Sequence, residues 1–487
     1  MYISMPRMIA YVLAIVGTSL MAPFITALYY GEQHSVIAFV VPMAVSWVVA
    51  FAFWMYRHTE ERQLGIYDAF TLVGSVWISI CLFGSLPFYL CGNFASFTDA
   101  VFESVSGFTT TGASIVLNVE SLPRSVNLWR CMTHWLGGMG VIALAVALMP
   151  LLGIGGFKLY KAETTVFDKS KVASRISTNA KVLWFIYFAM TFIQTVLLHY
   201  SGIDWFDSVC HSFSMVGSGG FSTRNSSIGA FNNITAEWIC VVFMFLAGVN
   251  YSLYFQVFIG KIGDVFRDSE LRAYFSIVIA AITAVTILES QQFGSFSEAL
   301  RNSAFQVTAL ISTTGFITSD YANWVPGSQM ILLTLFFIGG CSGSTAGGVK
   351  VMRWVVLGKQ FVNEILRLLH PHRIFTIRIN GMSGRDGIVP IVAAFIFVYV
   401  LMVMLTAIIG SFCGLGPVEA FTGALSAVGN VGPAFGGLGP SSSYASLPVF
   451  LKWWYSFAML AGRLEIYTML ILIGGFFHRK ENREYNG

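Results

Sequence analysis

The sequence predicts an all-α integral membrane protein. Ten transmembrane helices and four re-entrant pore helices are expected, as four tandem helix–pore loop–helix units around a pseudo-four-fold pore. Three observations lead there. Of 487 residues, 56% are hydrophobic and only 11% are charged, against roughly 25% charged in a soluble domain. Uncharged runs of spanning length recur along the whole chain. One short pattern ending in glycine appears four times between successive spans.

The composition excludes several classes at once. A mean hydropathy of +0.71 and 15% aromatic residues rule out a soluble enzyme and a disordered chain. A formal net charge of +4 is too small a footprint for a nucleic-acid partner. The 7 Cys lie mostly inside apolar runs without CxxC spacing, so they read as small buried hydrophobes, with no disulfide framework implied. Arg7 precedes an apolar run that has no small-residue cleavage site after it, which reads as a first spanning helix instead of a signal peptide.

A helix needs roughly 20 mostly apolar residues to cross a bilayer core. Stretches free of Lys, Arg, Asp and Glu are 8–31, 33–56, 69–98, 131–157, 182–203, 238–260, 321–349 and 387–418. The run 273–288 reaches spanning length with its flanks, and 453–477 is broken only by Arg463 and Glu465. Ten spans place both termini on one side. With that side cytoplasmic, most of the 28 Lys and Arg fall inside, as the positive-inside bias requires, and the outer face is net negative. The corresponding organisation is a two-helix segment 1–62, then pore units 63–157, 158–260, 261–378 and 379–487.

The repeat comes next. Its four copies are Thr110-Thr111-Gly112, Ser218-Gly219-Gly220, Thr313-Thr314-Gly315 and Asn430-Val431-Gly432. Thirteen residues before the last glycine of each stand Asp99, Asp207, Asn302 and Glu419, and six before it Ser106, Ser214, Ala309 and Ser426. A polar cap or first-turn acid followed by about ten small and apolar residues makes a helix only half a membrane long. Irregular backbone at membrane depth survives only where protein or a water-filled cavity covers it. Four such turns can surround an axis with carbonyl oxygens that replace a cation's water shell. Glycine suits them because the backbone must turn with positive φ. Close helix packing also uses small residues, but four copies in register with a polar residue at a fixed offset point to the pore.

Gly339, Gly340, Gly343, Gly347 and Gly348 stand with Ser342, Ser344 and Thr345 inside one span. So many glycines should break the helix, leaving polar backbone that lines a cavity. That suggests a gate below the filter, with a small-residue packing seam as the alternative. Arg463 falls near mid-membrane, where a charge is functional by default. It serves either as a barrier in the pore or as half of an ion pair with another helix. Glu465, the only acid inside a span, is two residues on and does not share its face. Lys350 reads as an anchor at the membrane surface.

The 8 His show no metal spacing beyond His370-Pro371-His372. That pair lies in the basic linker 350–385, which suits docking of an acidic or regulatory partner or of anionic lipid, or merely sets orientation; 158–181 carries the same ambiguity. Gly340-Cys341-Ser342-Gly343 matches the GxSG of intramembrane serine proteases, but no later His falls within a span. The glycines ending at Val349-Lys350 lack the Gly-Lys-Ser/Thr ending of a phosphate-binding loop. No enzymatic activity is expected.

The strings TTTGASI, GGFST, STTGFITSDYANW, GGCSGSTAGGVK, GNVGP and GRLEIYT resemble the TrkH-type subunit of the bacterial Trk/Ktr/HKT potassium-uptake superfamily, from about Arg7 to Arg479. The resemblance implies a homodimer with one K⁺ pore per subunit in the bacterial inner membrane, and a cytosolic ring of nucleotide-binding, TrkA-type regulatory subunits. It implies K⁺ held at the filter positions, no covalently bound cofactor, and a gating loop at the glycine-rich segment. Four filter glycines go with K⁺ selectivity in that family, and here all four positions are Gly. Ser218 stands where relatives usually have an apolar residue, and Gly429 where a second Asn is expected; both bear on filter geometry. A carrier coupling H⁺ or Na⁺ to K⁺ is the alternative, against which parallel repeats count.

Overall fold

The computed structural model describes residues 5–55, 66–151, 172–373, 375–380, 382–383, 388–440, 442–472 and 474. It is nearly all helix. Two N-terminal helices, Pro6–Tyr29 and Gln33–Met55, precede a motif that recurs four times: a long outer helix, a short pore helix, an irregular loop and an inner helix. The outer helices are Ile66–Leu90, Val172–Tyr200, Ser269–Glu289 and Ile388–Phe412. The pore helices are Phe97–Phe108, Trp205–Val216, Phe296–Ile311 and Pro417–Gly429. At 1.5 Å per residue they run about 18–24 Å, short of a bilayer core of about 30 Å.

The inner helices show which parts of the chain cannot remain straight. Arg124–Leu151 is continuous. The second breaks between Ile234–Ala247 and Tyr251–Phe258 with a bend of 93°, where the run 238–260 reads as one straight span. Gly248 ends the first piece, and Asn250 caps the second by accepting from the Ser252 N–H at 2.9 Å. The third stops at Ile338 and resumes as Val351–Leu369, leaving the glycine-rich loop between. The fourth, Val449–Arg463, breaks at residues 464–466, with Glu465 and Ile466 both at positive φ. A two-stranded hairpin, Arg378–Ile379 with Met382–Ser383, leads into the last outer helix. Among the described residues six helices are long and apolar enough to span a membrane, or seven if the bent pair is one span. The unit boundaries at 62/63 and 157/158 lie outside the described residues, as does most of 158–181; the boundary at 378/379 falls within the first strand of the hairpin.

Polarity is arranged for a lipid solvent. Large apolar side chains such as Phe51, Phe185, Phe192, Ile287, Phe397 and Leu401 face outward. Buried ion pairs stitch the units together instead. Glu103 and Arg130, both almost wholly buried, meet at 2.7 Å within the first unit, and Arg130 reaches the Ser222 carbonyl of the second at 3.2 Å. Glu237 pairs with Arg301 across units two and three at 2.7 Å. Asp99 pairs with Lys452 across units one and four at 2.7 Å. Units three and four are joined by the Tyr321 hydroxyl donating to the Ala434 carbonyl at 3.2 Å. Glu32 ties the N-terminal pair to the first inner helix by accepting from the Arg124 N–H at 2.7 Å. Six of the 7 Cys are buried thiols and Cys413 is half-buried.

Removing one partner of a buried pair strands the other charge, at about 3–5 kcal/mol. Glu103→Ala should therefore lower the thermal unfolding midpoint of the detergent-solubilised protein sharply, with Glu103→Gln, which keeps a carbonyl for Arg130, in between.

Candidate ion pathway

The four pore helices end in the same way. Each closes on a Schellman motif, in which a left-handed residue after the helix lets two amides satisfy the last carbonyls. In the first unit the Thr110 N–H donates to the Gly107 carbonyl at 3.0 Å and the Thr111 N–H to Ser106 at 2.9 Å. The same second bond runs from Gly219 to Ser214, from Thr314 to Ala309 and from Val431 to Ser426, at 2.8–3.0 Å. The left-handed residues are Thr110, Ser218, Thr313 and Asn430, with φ of 53–58°. This conformation costs a non-glycine residue about 1–2 kcal/mol, and strain of this kind collects at functional sites.

Two residues later come Gly112, Gly220, Gly315 and Gly432, with φ of +81°, +83°, +70° and +101°. The four segments form a closed ring. A Cβ on Gly112 would strike the Gly219 carbonyl, one on Gly220 the Thr314 carbonyl, one on Gly315 the Val431 carbonyl, and one on Gly432 the Thr111 carbonyl, each well inside 3.0 Å. Each glycine is thus bare because the carbonyl before the next unit's glycine occupies the space where a side chain would begin.

Of the polar residues thirteen positions before these glycines, Asp99, Asp207 and Glu419 are first-turn acids rather than N-cap residues, and Glu419 also accepts from the Gly416 N–H at 3.4 Å. Ser96, Asp204 and Ser295 cap the first three pore helices, and Gly416 starts the fourth. Asp99, Asp207 and Glu419 sit three residues further in; Asn302 sits deeper, because the third pore helix is longer at its start. Their side chains reach across the loop to the chain leaving the filter or to a neighbouring unit. Asp207 accepts from Thr223 Oγ1 at 2.7 Å and Arg224 at 2.6 Å, Asn302 from Thr318 Oγ1 at 3.2 Å, Glu419 from the Gly437 N–H at 2.8 Å, while Asp99 holds Lys452. In the first unit Glu103 makes the tie across the loop, to Ser114 Oγ and the Ile115 N–H, both at 2.9 Å.

Beneath the ring lies the loop 339–350. Gly339, Gly343 and Gly348 turn it with φ of 73–75°. Its base is closed by the Val351 N–H donating to Gly340 at 3.0 Å, and Ser344 Oγ donates to Cys341 at 2.6 Å. The break in the second inner helix grips one flank: Cys341 N–H donates to Gly248 at 2.8 Å, and Tyr251 N–H to Gly343 at 3.1 Å. The tip touches the underside of the ring. Thr345 Oγ1 lies 2.8 Å from Ser218 Oγ, and the Gly347 N–H donates to Thr313 Oγ1 at 2.6 Å. A Cβ on Gly347 would collide with the Gly429 carbonyl. The two departures noted in the sequence, Ser218 and Gly429, therefore both face this loop. From the other side Arg463 Nη1 donates to the Thr345 carbonyl at 2.8 Å, while its Nε and Nη2 have no partner.

Two expectations are overturned. Lys350 is no surface anchor: its own positive φ of 74° folds the side chain back, and Nζ donates to the Ala346 carbonyl inside the loop. Glu465 is not the buried acid of this region. Its side chain is 44% exposed and pairs with Arg353 at 2.9 Å, because the break after Arg463 turns it away. Among the described residues the buried acids are Asp99, Glu103, Asp207, Glu237, Asp268, Glu270 and Glu289. Of these, Glu270 was illegible in the sequence, where it sits in a charged segment. Its Oε1 accepts from the Ser342 N–H at 2.6 Å and the Met352 N–H at 3.0 Å, pinning both ends of the loop. The break at 248–250 did leave a signal, a glycine and an asparagine inside an apolar run. Among the described residues no cluster of His, Cys, Asp and Glu suits a metal ion.

The fold and this site define a multi-pass membrane protein in which four helix–short helix–loop–helix repeats meet in one ring. The family model described as "TrkH: Cation transport protein" matches residues 34–476, and the chain belongs to the TrkH family. It is 35% identical to the Trk system potassium uptake protein TrkH of Halomonas elongata over 97% of this chain and 98% of that one. It is 33% identical to the protein of that name in Escherichia coli, over 97% and 99%. The crystal structure of the potassium transporter TrkH from Vibrio parahaemolyticus superposes with a TM-score of 0.86, at 33% identity, covering 96% of this chain and 97% of that one.

Replacing Glu270 with Ala removes the acceptor shared by two buried amides, each worth about 1–3 kcal/mol when stranded. Hydrogen exchange in peptides spanning 339–352 should accelerate in Glu270→Ala, with the pore-helix peptides unchanged.

Proposed function

We propose that this protein takes up K⁺ across the bacterial inner membrane through the ring around Gly112, Gly220, Gly315 and Gly432. The observation that carries the reading is the ring itself: four backbone carbonyls of consecutive units, each seated against the next unit's bare glycine. Carbonyls replace the water shell of a dehydrated cation, and the negative ends of four pore helices point toward the same place. Thr110, Thr111, Ser218, Gly219, Thr313, Thr314, Asn430 and Val431 complete the ion-binding filter. The membrane potential drives entry at about 2.3 kcal/mol per charge per 100 mV.

The loop carrying Gly339, Gly340, Gly343, Ser344, Gly347 and Gly348 is the gate in this reading, and Arg463 is its latch. The tip lies against the filter and is held there by a guanidinium whose Nε and Nη2 have no partner among the described residues, so a passing ion must displace both loop and guanidinium. Opening falls to a cytosolic TrkA-type regulatory subunit, a nucleotide-binding partner suggested by the Trk system of the relatives. The ten-span arrangement has both termini cytoplasmic, the basic linker 350–385 facing that partner or anionic lipid, and two chains assembling as a homodimer. A second reading, K⁺ symport with H⁺ or Na⁺, draws on the buried Glu270 at the base of the gate.

Cation flux into liposomes holding the purified protein decides between them. K⁺ and Rb⁺ should enter well ahead of Na⁺, and Gly315→Ser, which puts a side chain against the Val431 carbonyl, should erode that preference. Flux indifferent to cation and mutation sinks the filter; flux that requires a pH gradient promotes the symporter. Arg463→Gln should raise K⁺ flux measured without any partner subunit, because the loop loses its latch; unchanged or lower flux would remove Arg463 from the gate.

A further inference from the structure

The second filter segment is built unlike the other three. At the position before the filter glycine, the first and third carry threonines. Thr111 Oγ1 lies 2.8 Å from Thr109 Oγ1 and accepts from Asn430 Nδ2 at 2.9 Å, while Thr314 Oγ1 lies 2.7 Å from Ser312 Oγ. The fourth carries a fully buried Val431. The second carries Gly219, in a Gly217-Ser218-Gly219-Gly220 run with three glycines in four residues. A segment so poor in side chains has nothing of its own to hold the Gly219 carbonyl in the ring, and glycine carries the greatest backbone freedom.

The space where the missing side chain would stand is filled from another helix. A Cβ on Gly219 would land within 3.0 Å of Cγ, Nδ1 and Cδ2 of His134, a fully buried residue on the first inner helix. The imidazole stacks on Phe221 with centroids 4.1 Å apart and rings inclined by 21°. Its Nδ1 lies 2.7 Å from Ser214 Oγ, on the residue whose carbonyl caps the Gly219 N–H, and 3.4 Å from the Phe221 N–H. A backbone N–H can only donate, so Nδ1 accepts from Phe221 and the Ser214 hydroxyl donates to the same nitrogen, while the buried Nε2 has no partner among the described residues. The histidine thus braces the segment on both sides of Gly219 and Gly220.

We propose that His134 is the specificity-determining buttress of the second filter segment. Its imidazole supplies the volume that Thr111, Thr314 and Val431 provide in the other units, and the hydrogen bonding that the two threonines add there. The inference rests on the filter reading above. It concerns one joint of the ring, where the Gly219 carbonyl packs against Gly112 of the first unit. Since His134 belongs to that first unit, the two segments meeting at this joint share one support.

The test is a double-mutant exchange in the full-length protein, reconstituted in liposomes and assayed for K⁺ and Na⁺ flux, with Gly315→Ser alongside. His134→Ala should lower the preference for K⁺ by about tenfold, equivalent to about 1.4 kcal/mol, while cation flux persists. Gly219→Thr alone, whose new side chain meets the imidazole, should lose flux or fail to fold. The combination His134→Ala with Gly219→Thr should regain most of the lost preference, because the threonine returns bulk and a hydroxyl to the emptied space. Unaltered selectivity in His134→Ala, or a double variant no better than His134→Ala, overturns the proposal. If His134→Ala does not fold, His134→Phe keeps the ring and removes the acceptor. Reduced selectivity there supports the buttress and full selectivity overturns it. A fall in Gly315→Ser without any in the His134 variants defeats this inference alone, whereas no fall in either defeats the filter reading itself.

Discussion

Four carbonyl oxygens occupy the space that four side chains have vacated, and the rest of the structure is arranged around that packing. Each glycine of the ring lacks a Cβ because the neighbouring unit's backbone stands there, so no unit can close its loop independently of the next. The order of contacts runs from the first unit through the fourth and back, which makes the ring a single interlocked object. Four left-handed residues that are not glycine stand next to it. Their strain is tolerated because the Schellman bonds and the neighbouring units over-determine the backbone.

Holding such a ring in lipid demands supports of a kind a soluble protein rarely uses. Apolar burial between helices gains little when the solvent is itself hydrocarbon. The units are instead tied by buried ion pairs and by polar side chains reaching over each loop, and breaking one would leave a charge with no water to receive it. The same logic governs the segment below. The loop 339–350 can leave helical geometry at membrane depth because its amides and carbonyls are taken up by Glu270, the broken second inner helix, the filter base and Arg463. Breaks in three of the four inner helices converge near that loop, so irregular backbone is concentrated where it can be satisfied internally.

Much of this was legible in the chain. The spans follow from uncharged runs, since lipid excludes charge locally and residue by residue. The four turns follow from glycines at a fixed offset from polar residues. Of the two roles open to these polar residues, cap or first-turn acid, Asp99, Asp207 and Glu419 take the second; composition alone does not separate a cap from a residue three places on that straps the loop. Lys350 and Glu465 were misplaced for a related reason. Each lies beside positive-φ backbone, and one such residue turns a side chain to the opposite side from the one helical geometry assigns. The bend at 248–250 was hidden inside a run apolar enough to cross unbroken.

By itself, then, the sequence determined the solvent, the repeated unit and the positions that must be glycine, because hydropathy and backbone sterics act over a few residues and leave their mark in composition. Only the tertiary structure decided which carbonyl fills each glycine's vacancy and which acid pins the loop. It also decided which ring stands behind Gly219. Those pairings join residues 72 to more than 300 positions apart, and their partners are chosen by closure in three dimensions, which no local pattern encodes.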